Sequence, residues 1–328
     1  MNENILFRFG PLSLTRFGLW IGLGALLWMG SAGMMRAWKY RKMPAGTVWF
    51  AAFCMIALGA VCSRALYCAV NFDRYAADSL FRMWEGGMSM CGALLGAFAG
   101  LWLASGIAKV KIGRLANCFG PGIGLFGACA VMAQRAIGEG WGKVAEAAWV
   151  GESLLGVVDL YGDIRYAVFR VELIGCALTF LAGLLPLLRR RPARFSAFGW
   201  GWDVYAAMRI VTASMREGAI LRVEYFRIEQ IAGVAILLII ALCRLACDLR
   251  AGAGAKRWIP FILLLIGAGI CVWMEFAVDR EGYLEEKYAL MAFGALLCLL
   301  GALPRREKRQ GLRPRTPLGG MIPPRPLN

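Results

Sequence analysis

Nine long blocks of apolar residues decide what this chain can fold into. They run about Phe17–Met35, Val48–Val70, Gly87–Ile107, Leu115–Ile137, Val171–Leu188, Phe198–Met215, Ile231–Cys247, Trp258–Val278 and Ala289–Leu303. Crossing the hydrocarbon core of a bilayer as a helix takes roughly 18–20 residues, and each block approaches or exceeds that length. A membrane barrel would need alternating segments of about ten residues, and the sequence has none. The chain is 59% hydrophobic over 328 residues. Soluble domains run at about 45–50% apolar, so a soluble fold of this length would leave too much apolar surface uncovered. The expected fold class is therefore all-α, a polytopic transmembrane helical bundle of about nine spans. The fifth, sixth and ninth blocks are the shortest, and a re-entrant segment is expected among them.

The charges fall between the blocks. Arg36, Lys39, Arg41 and Lys42 follow the first block, Lys109, Lys111 and Arg114 the third, and Arg189, Arg190, Arg191 and Arg194 the fifth. Arg244, Arg250, Lys256 and Arg257 follow the seventh, and Arg305, Arg306, Lys308, Arg309, Arg313 and Arg315 the ninth. Even-numbered exits hold most of the acids, such as Asp73, Glu85, Glu139, Glu152, Asp159 and Glu285. Cytoplasmic loops carry the excess of Lys and Arg, which predicts an N-out, C-in topology. The net charge of +16 would suggest nucleic acid in a soluble chain. Here it is spent on loops, and no nucleic-acid partner is expected. Several tryptophans, among them Trp38, Trp49, Trp141 and Trp258, sit near block ends as interfacial anchors do.

Eleven cysteines lie almost entirely inside the blocks, with no CxxC pair and no His anywhere in the chain. They read as small packing residues, and neither a metal site nor a cofactor is expected. Met1 to Thr15 lacks the pattern of a cleavable signal. Gly138 to Arg170 is too polar to span and too long for a turn, so it is expected to form an extracytoplasmic loop or small head. Residues 304–328, rich in Pro and Arg, read as a disordered cytoplasmic tail. Gly92, Gly96 and Gly100, spaced by four, form a ridge for close helix packing.

Three constellations carry possible chemistry. Trp84-Glu85-Gly86-Gly87-Met88-Ser89 opens the third block. Its glycines and helix N-terminus would let backbone approach an anion, although a plain helix entry with Ser89 in the first turn explains it as well. Gln134-Arg135 and Glu139 close the fourth block, where Arg135 either grips a lipid phosphate or snorkels. Arg209 lies inside the sixth block, one turn after Tyr205, and a charge at that depth points to function or to a buried ion pair. Arg216 follows nearer the outer end.

In this order the segments resemble the prolipoprotein diacylglyceryl transferase family. Phe9-Gly10-Pro11-Leu12-Ser13 with Arg16-Phe17-Gly18-Leu19 is similar to its opening, and Trp84 through Ser89 to its third-span entry. Gly138 through Gly142 resembles the end of its signature, and Tyr205 through Arg216 its Tyr-Gly-x-x-Arg motif. The resemblance covers about Phe9 to Cys247, implying a seven-span core (1–248) followed by an extra hairpin (249–303). It further implies an enzyme of the bacterial cytoplasmic membrane that moves diacylglyceryl from phosphatidylglycerol to a lipobox cysteine. The partners would be phosphatidylglycerol or another anionic phospholipid and the prolipoprotein signal segment. Carried over by position, Glu139 matches the signature acid and Arg209 the late Arg, the two catalytic candidates. Arg135, Gln134, Glu85, Gly86, Gly87, Ser89, Tyr205 and Arg216 would bind substrate.

The chain departs from the family at several positions. The family His falls at Cys91, the signature Arg at Val131, the signature Asn at Gln134 and the late acid at Ala213. The first-span Tyr falls near Ile21. An imidazole base is thereby excluded. Arg135, one turn beyond Val131 on the same helix face, is positioned to replace the missing Arg. A relative that binds phospholipid or lipoprotein without transfer is the alternative. A transporter would show inverted repeats, and none is evident.

Overall fold

The computed structural model describes residues 5–9, 12–70, 89–159, 161–189, 196–217, 222–223, 226–250, 258–278, 280 and 283–302. Every one of the nine apolar blocks is helical there. The order is β1 (Ile5–Phe9), β2 (Leu12–Thr15), α1 (Arg16–Lys39), α2 (Ala45–Val70), α3 (Met90–Ile107), α4 (Ile112–Phe119) and α5 (Gly122–Ala136). Then come α6 (Ala148–Glu152), β3 (Gly156–Val158), β4 (Ile164–Tyr166), α7 (Val168–Leu188) and α8 (Ser196–Met215). Last are β5 (Arg222–Val223), β6 (Phe226–Arg227), α9 (Ile228–Arg250), α10 (Trp258–Val278) and α11 (Leu284–Ala302). The strands form three separate antiparallel pairs, β1 with β2, β3 with β4 and β5 with β6.

The protein is a multi-pass membrane bundle. Five helices are long and apolar enough to cross a bilayer, and the bent pair α4–α5 makes a sixth if it is one span. Large apolar side chains face outward all round: Trp102 is 72% exposed, Trp273 71% and Phe53 70%. Water would penalise such a belt, whereas lipid tails match it. With lipid outside, the helices need no polar face, and their association rests on close packing and polar contacts.

The fourth block is two helices rather than one. The chain bends by 42° between Phe119 and Gly122. Pro121 has no N–H to give the preceding turn, and its ring disfavours a straight helix. Gly120 makes the bend packable, because a Cβ there would lie 2.7 Å from the Ala197 carbonyl carbon and oxygen. The bend thus falls in the fourth block, outside the three shortest.

α2 and α3 pack along the predicted glycine ridge. A Cβ on Gly92, Gly96 or Gly100 would lie 2.3, 2.1 or 2.5 Å from the carbonyl oxygens of Cys62, Leu58 and Cys54. α1 packs on α5, α5 on α7, α7 on α8, and α8 on α9. α10 and α11 form a hairpin against α8 and α9. At one end Arg244 of α9 pairs with buried Asp203 of α8 at 2.7 Å and donates to the Ala302 carbonyl. The nine cysteines whose side chains are described are free thiols.

At the other end the segment from Gly138 to Ala167 forms a small layer over the helix tips. The β3–β4 hairpin carries the turn in which Asp159 accepts from Arg165 at 2.5 Å and from the N–H groups of Tyr161 and Asp163. The Arg165 guanidinium, helped by those two N–H groups, holds the Asp159 carboxyl below the usual carboxylate range. The layer is laced to the helices: Gly142 bridges to Arg216, and the Lys143 N–H donates to the Met215 carbonyl. Glu285 of α11 accepts from the Ala147 N–H at 3.2 Å and the Tyr166 hydroxyl at 2.8 Å. Burial and that carboxylate push the Tyr166 phenol well above its ordinary value.

Candidate functional site

Beneath this layer, four helices meet around one buried carboxylate. Glu172, in the second turn of α7, is 0% exposed. One of its oxygens accepts from Arg209 Nη1 at 2.6 Å, the other from Arg216 Nη2 at 2.5 Å. Both arginines belong to the C-terminal half of α8 or follow its end, so a single acid on α7 fixes two cations on its neighbour. Arg216 Nη2 also donates to Gln134 Oε1 of α5 at 2.7 Å. On the far side, Arg209 Nη2 pairs with Glu229 in the first turn of α9. The polar chain therefore runs Gln134, Arg216, Glu172, Arg209, Glu229, from α5 to α9.

Such a cluster is stable in an apolar surround only because each charge is matched. The match is incomplete in one respect. Among the described residues, the Nε–H groups of Arg209 and of Arg216 are buried and have no acceptor. A buried orphan donor is costly, and two on adjacent guanidiniums mark a place suited to an anion. Beside Arg209 lies a small, partly open pocket lined by Leu94 of α3, by Tyr205 and Arg209 of α8, and by Glu229, Gly233 and Ile236 of α9. Its walls are largely apolar with the charges at one point.

The residues expected from sequence distribute unevenly. Arg209, Arg216 and Gln134 enter the network directly, and Tyr205 lines the cavity one turn from Arg209 as its spacing predicts. Arg135 does not line that cavity. Its guanidinium stacks 4.0 Å from the Trp141 ring centroid and 5.2 Å from that of Phe169, and its chain neighbour Gln134 belongs to the network. Glu139 sits exposed in the turn after α5, where its N–H donates to the Gln134 carbonyl. Among the described residues, no ion pair of the network includes its carboxylate. The glycines around it serve backbone needs. Gly138 and Gly140 have φ of +83° and +88°, and a Cβ on Gly142 would lie 2.6 Å from the Tyr166 carbonyl oxygen. Ser89 is the N-cap of α3, accepts from the Gly92 N–H at 3.4 Å, and is itself buried. Glu85, Gly86 and Gly87 lie outside the described residues.

Two members of the network escaped the sequence reading. Glu172 carried a usable signal, as the one acid inside the otherwise apolar fifth block. Glu229 stands just before the seventh block, and nothing local distinguishes it from a helix-start acid.

Comparison with known proteins identifies the kind of molecule. The family model described as prolipoprotein diacylglyceryl transferase matches residues 4–246, about three-quarters of the chain. The chain belongs to that family. Among curated relatives, the phosphatidylglycerol–prolipoprotein diacylglyceryl transferase of Bacillus velezensis is 26% identical over 266 residues, 77% of this chain and 95% of its own length. The transferase of the same name from Bacillus licheniformis is 25% identical over 276 residues, covering 79% of this chain and 99% of its own. That of Pseudoalteromonas atlantica is 29% identical over 151 residues, and the match spans about half of its length, 53%. The family match ends within α9, so α10 and α11 lie beyond it.

Proposed function

We propose that this protein transfers a diacylglyceryl group from phosphatidylglycerol to the thiol of a lipobox cysteine in a prolipoprotein, at the outer face of the bacterial cytoplasmic membrane. The observation that carries the reading is the pair of guanidiniums on one buried carboxylate, each with an uncommitted Nε–H, beside an apolar cavity. A phosphodiester has the charge and the oxygens those donors lack, and Arg presents parallel N–H groups to it. The cavity's apolar wall suits the acyl chains, and the outward apolar belt supplies a lateral route from the bilayer.

In the reaction the cysteine sulfur bonds to the glyceryl carbon, and the carbon–oxygen bond to phosphate breaks. Glycerol phosphate leaves with the bonding electrons. Arg209 and Arg216 bind the phosphate oxygens and stabilise the charge that gathers there, a contribution that grows in a dry site. The thiol proton must go to a base, and the chain has no imidazole to take it. Glu139, exposed at the turn after α5, is the carboxylate assigned that role. Tyr205 shapes the cavity beside Arg209, and Arg135 braces the end of α5 through its aromatic stack while adding positive potential at the rim. The N-terminus and the Gly138–Arg170 layer face outward, and the loop holding Lys39 and Arg41 faces the cytoplasm.

The test is complementation of a transferase-depleted bacterial strain, scored by lipidation of a model lipoprotein. The wild-type chain should restore lipidation, and Arg209→Ala should reduce it about a hundredfold or more. No lipidation by a chain that is expressed, inserted and still binds phosphatidylglycerol would assign it to lipid binding without transfer.

A further inference from the structure

Arg209 is held by two carboxylates of different standing. Glu172 is fully enclosed, and its second oxygen is committed to Arg216. It cannot withdraw without leaving Arg216 with no carboxylate and Arg209 with only Glu229, and an unpaired buried cation costs several kcal/mol in comparable cases. Among the described residues, Glu229 has a single ion pair, to Arg209. Its side chain is 32% exposed, and it lines the cavity beside the guanidinium. The sum of charges over Arg209, Arg216, Glu172 and Glu229 is zero. An anionic headgroup entering that neutral set gains little net attraction, and it meets a carboxylate on the face of Arg209 that opens to the cavity.

We propose that Glu229 is a placeholder counter-ion, occupying the position on Arg209 that a phosphate takes and leaving when an anionic headgroup arrives. The proposal rests on phosphate binding at Arg209. Glu229 can leave cheaply for two reasons. It already touches solvent-accessible space, so its charge is not stranded. It also stands in the first turn of α9, where the helix N-terminus stabilises a carboxylate with or without a partner. The arrangement keeps Arg209 folded and matched when no lipid is bound. It also sets a threshold, because only a ligand that replaces a full negative charge makes the exchange favourable. A zwitterionic headgroup brings its own cation into the cavity and replaces the carboxylate poorly. Glu229 thereby acts as a specificity determinant for anionic lipid.

The experiment measures lipid binding, not transfer, so that it stands apart from catalysis. The purified full chain in nanodiscs or mild detergent is titrated with phosphatidylglycerol, phosphatidylethanolamine and soluble glycerol phosphate, for the wild type, Glu229→Gln and Arg209→Ala. The occupied form reduces the binding-competent fraction, so removing the competing charge should tighten phosphatidylglycerol binding about tenfold. Glycerol phosphate should tighten to a similar degree, because the exchange concerns the phosphate. Discrimination against phosphatidylethanolamine should narrow. Unchanged or weaker phosphatidylglycerol binding in Glu229→Gln would overturn the proposal. So would tightening confined to the lipid and absent for glycerol phosphate. Glu229→Asp serves as a second variant, and failure of both to fold would assign Glu229 to structure and also overturn the proposal. Wild-type binding that Arg209→Ala leaves unchanged would remove phosphate recognition at Arg209 itself, a distinct outcome.

Discussion

The α2–α3 pair and the α7–α8–α9 trio solve the same problem with opposite chemistry. Both must hold helices together where lipid gives no hydrophobic gain. The pair does it by close approach: three glycines bring backbone against backbone along the ridge. The trio does it with charge, through Glu172, Arg209, Arg216 and Glu229. The first joint tolerates no added atom, and the second depends on the enclosed charge of Glu172. Backbone contact of the first kind offers a ligand no ion pair to replace, whereas the second holds the charged groups on which the proposed exchange rests. The site belongs to the trio for that reason.

Three substitutions sharpen the contrast. Glu172→Gln should have the largest effect, destabilising the folded protein by about 3–5 kcal/mol because two arginines lose their shared anion. Thermal unfolding in detergent reads this, and lipidation should fall to background. A melting temperature like that of the wild type would show that the trio is not held by charge. Gly96→Ala comes next, at about 1–3 kcal/mol, since its Cβ would meet the Leu58 carbonyl oxygen at 2.1 Å. Here the loss should appear in stability, with lipid binding retained by the fraction that folds. Smallest in stability is Arg135→Ala, at about 0.5–2 kcal/mol for the stack on Trp141 and Phe169. Its effect on transfer discriminates between roles. Abolished lipidation with this modest stability loss makes Arg135 a phosphate ligand, and unchanged lipidation leaves the phosphate to Arg209 and Arg216.

Much of the fold was legible because lipid imposes a simple code. Each apolar block is helical where it is described, the fourth as two helices, and the glycine spacing in the third block named its packing face before any partner was known. The errors lie where polar residues extend a helix or backbone breaks one. α11 begins at Leu284, five residues before the apolar block, because Glu285 and Glu286 are favourable at a helix start. The Gly120-Pro121 break was written in the sequence, but an apolar count passes over it. The site was less legible. Arg209 announced itself by depth, and Tyr205 by its spacing from Arg209. Their partners come from α7 and α9, 37 and 20 residues away along the chain, and no local pattern links them. Resemblance pointed to Glu139, whose carboxylate stands outside the network. It had no means of pointing to Glu172 or Glu229.

The contacts of Glu285 give the terminal hairpin a further meaning. It reaches from α11 to the Ala147 amide and the Tyr166 hydroxyl, while Gln230 of α9 donates to Glu275 of α10 at 2.7 Å. Two helices beyond the region that the family model matches act as rafters for the roof over the arginine network. Pruning them would strand an amide and a phenol that depend on an acceptor from that hairpin.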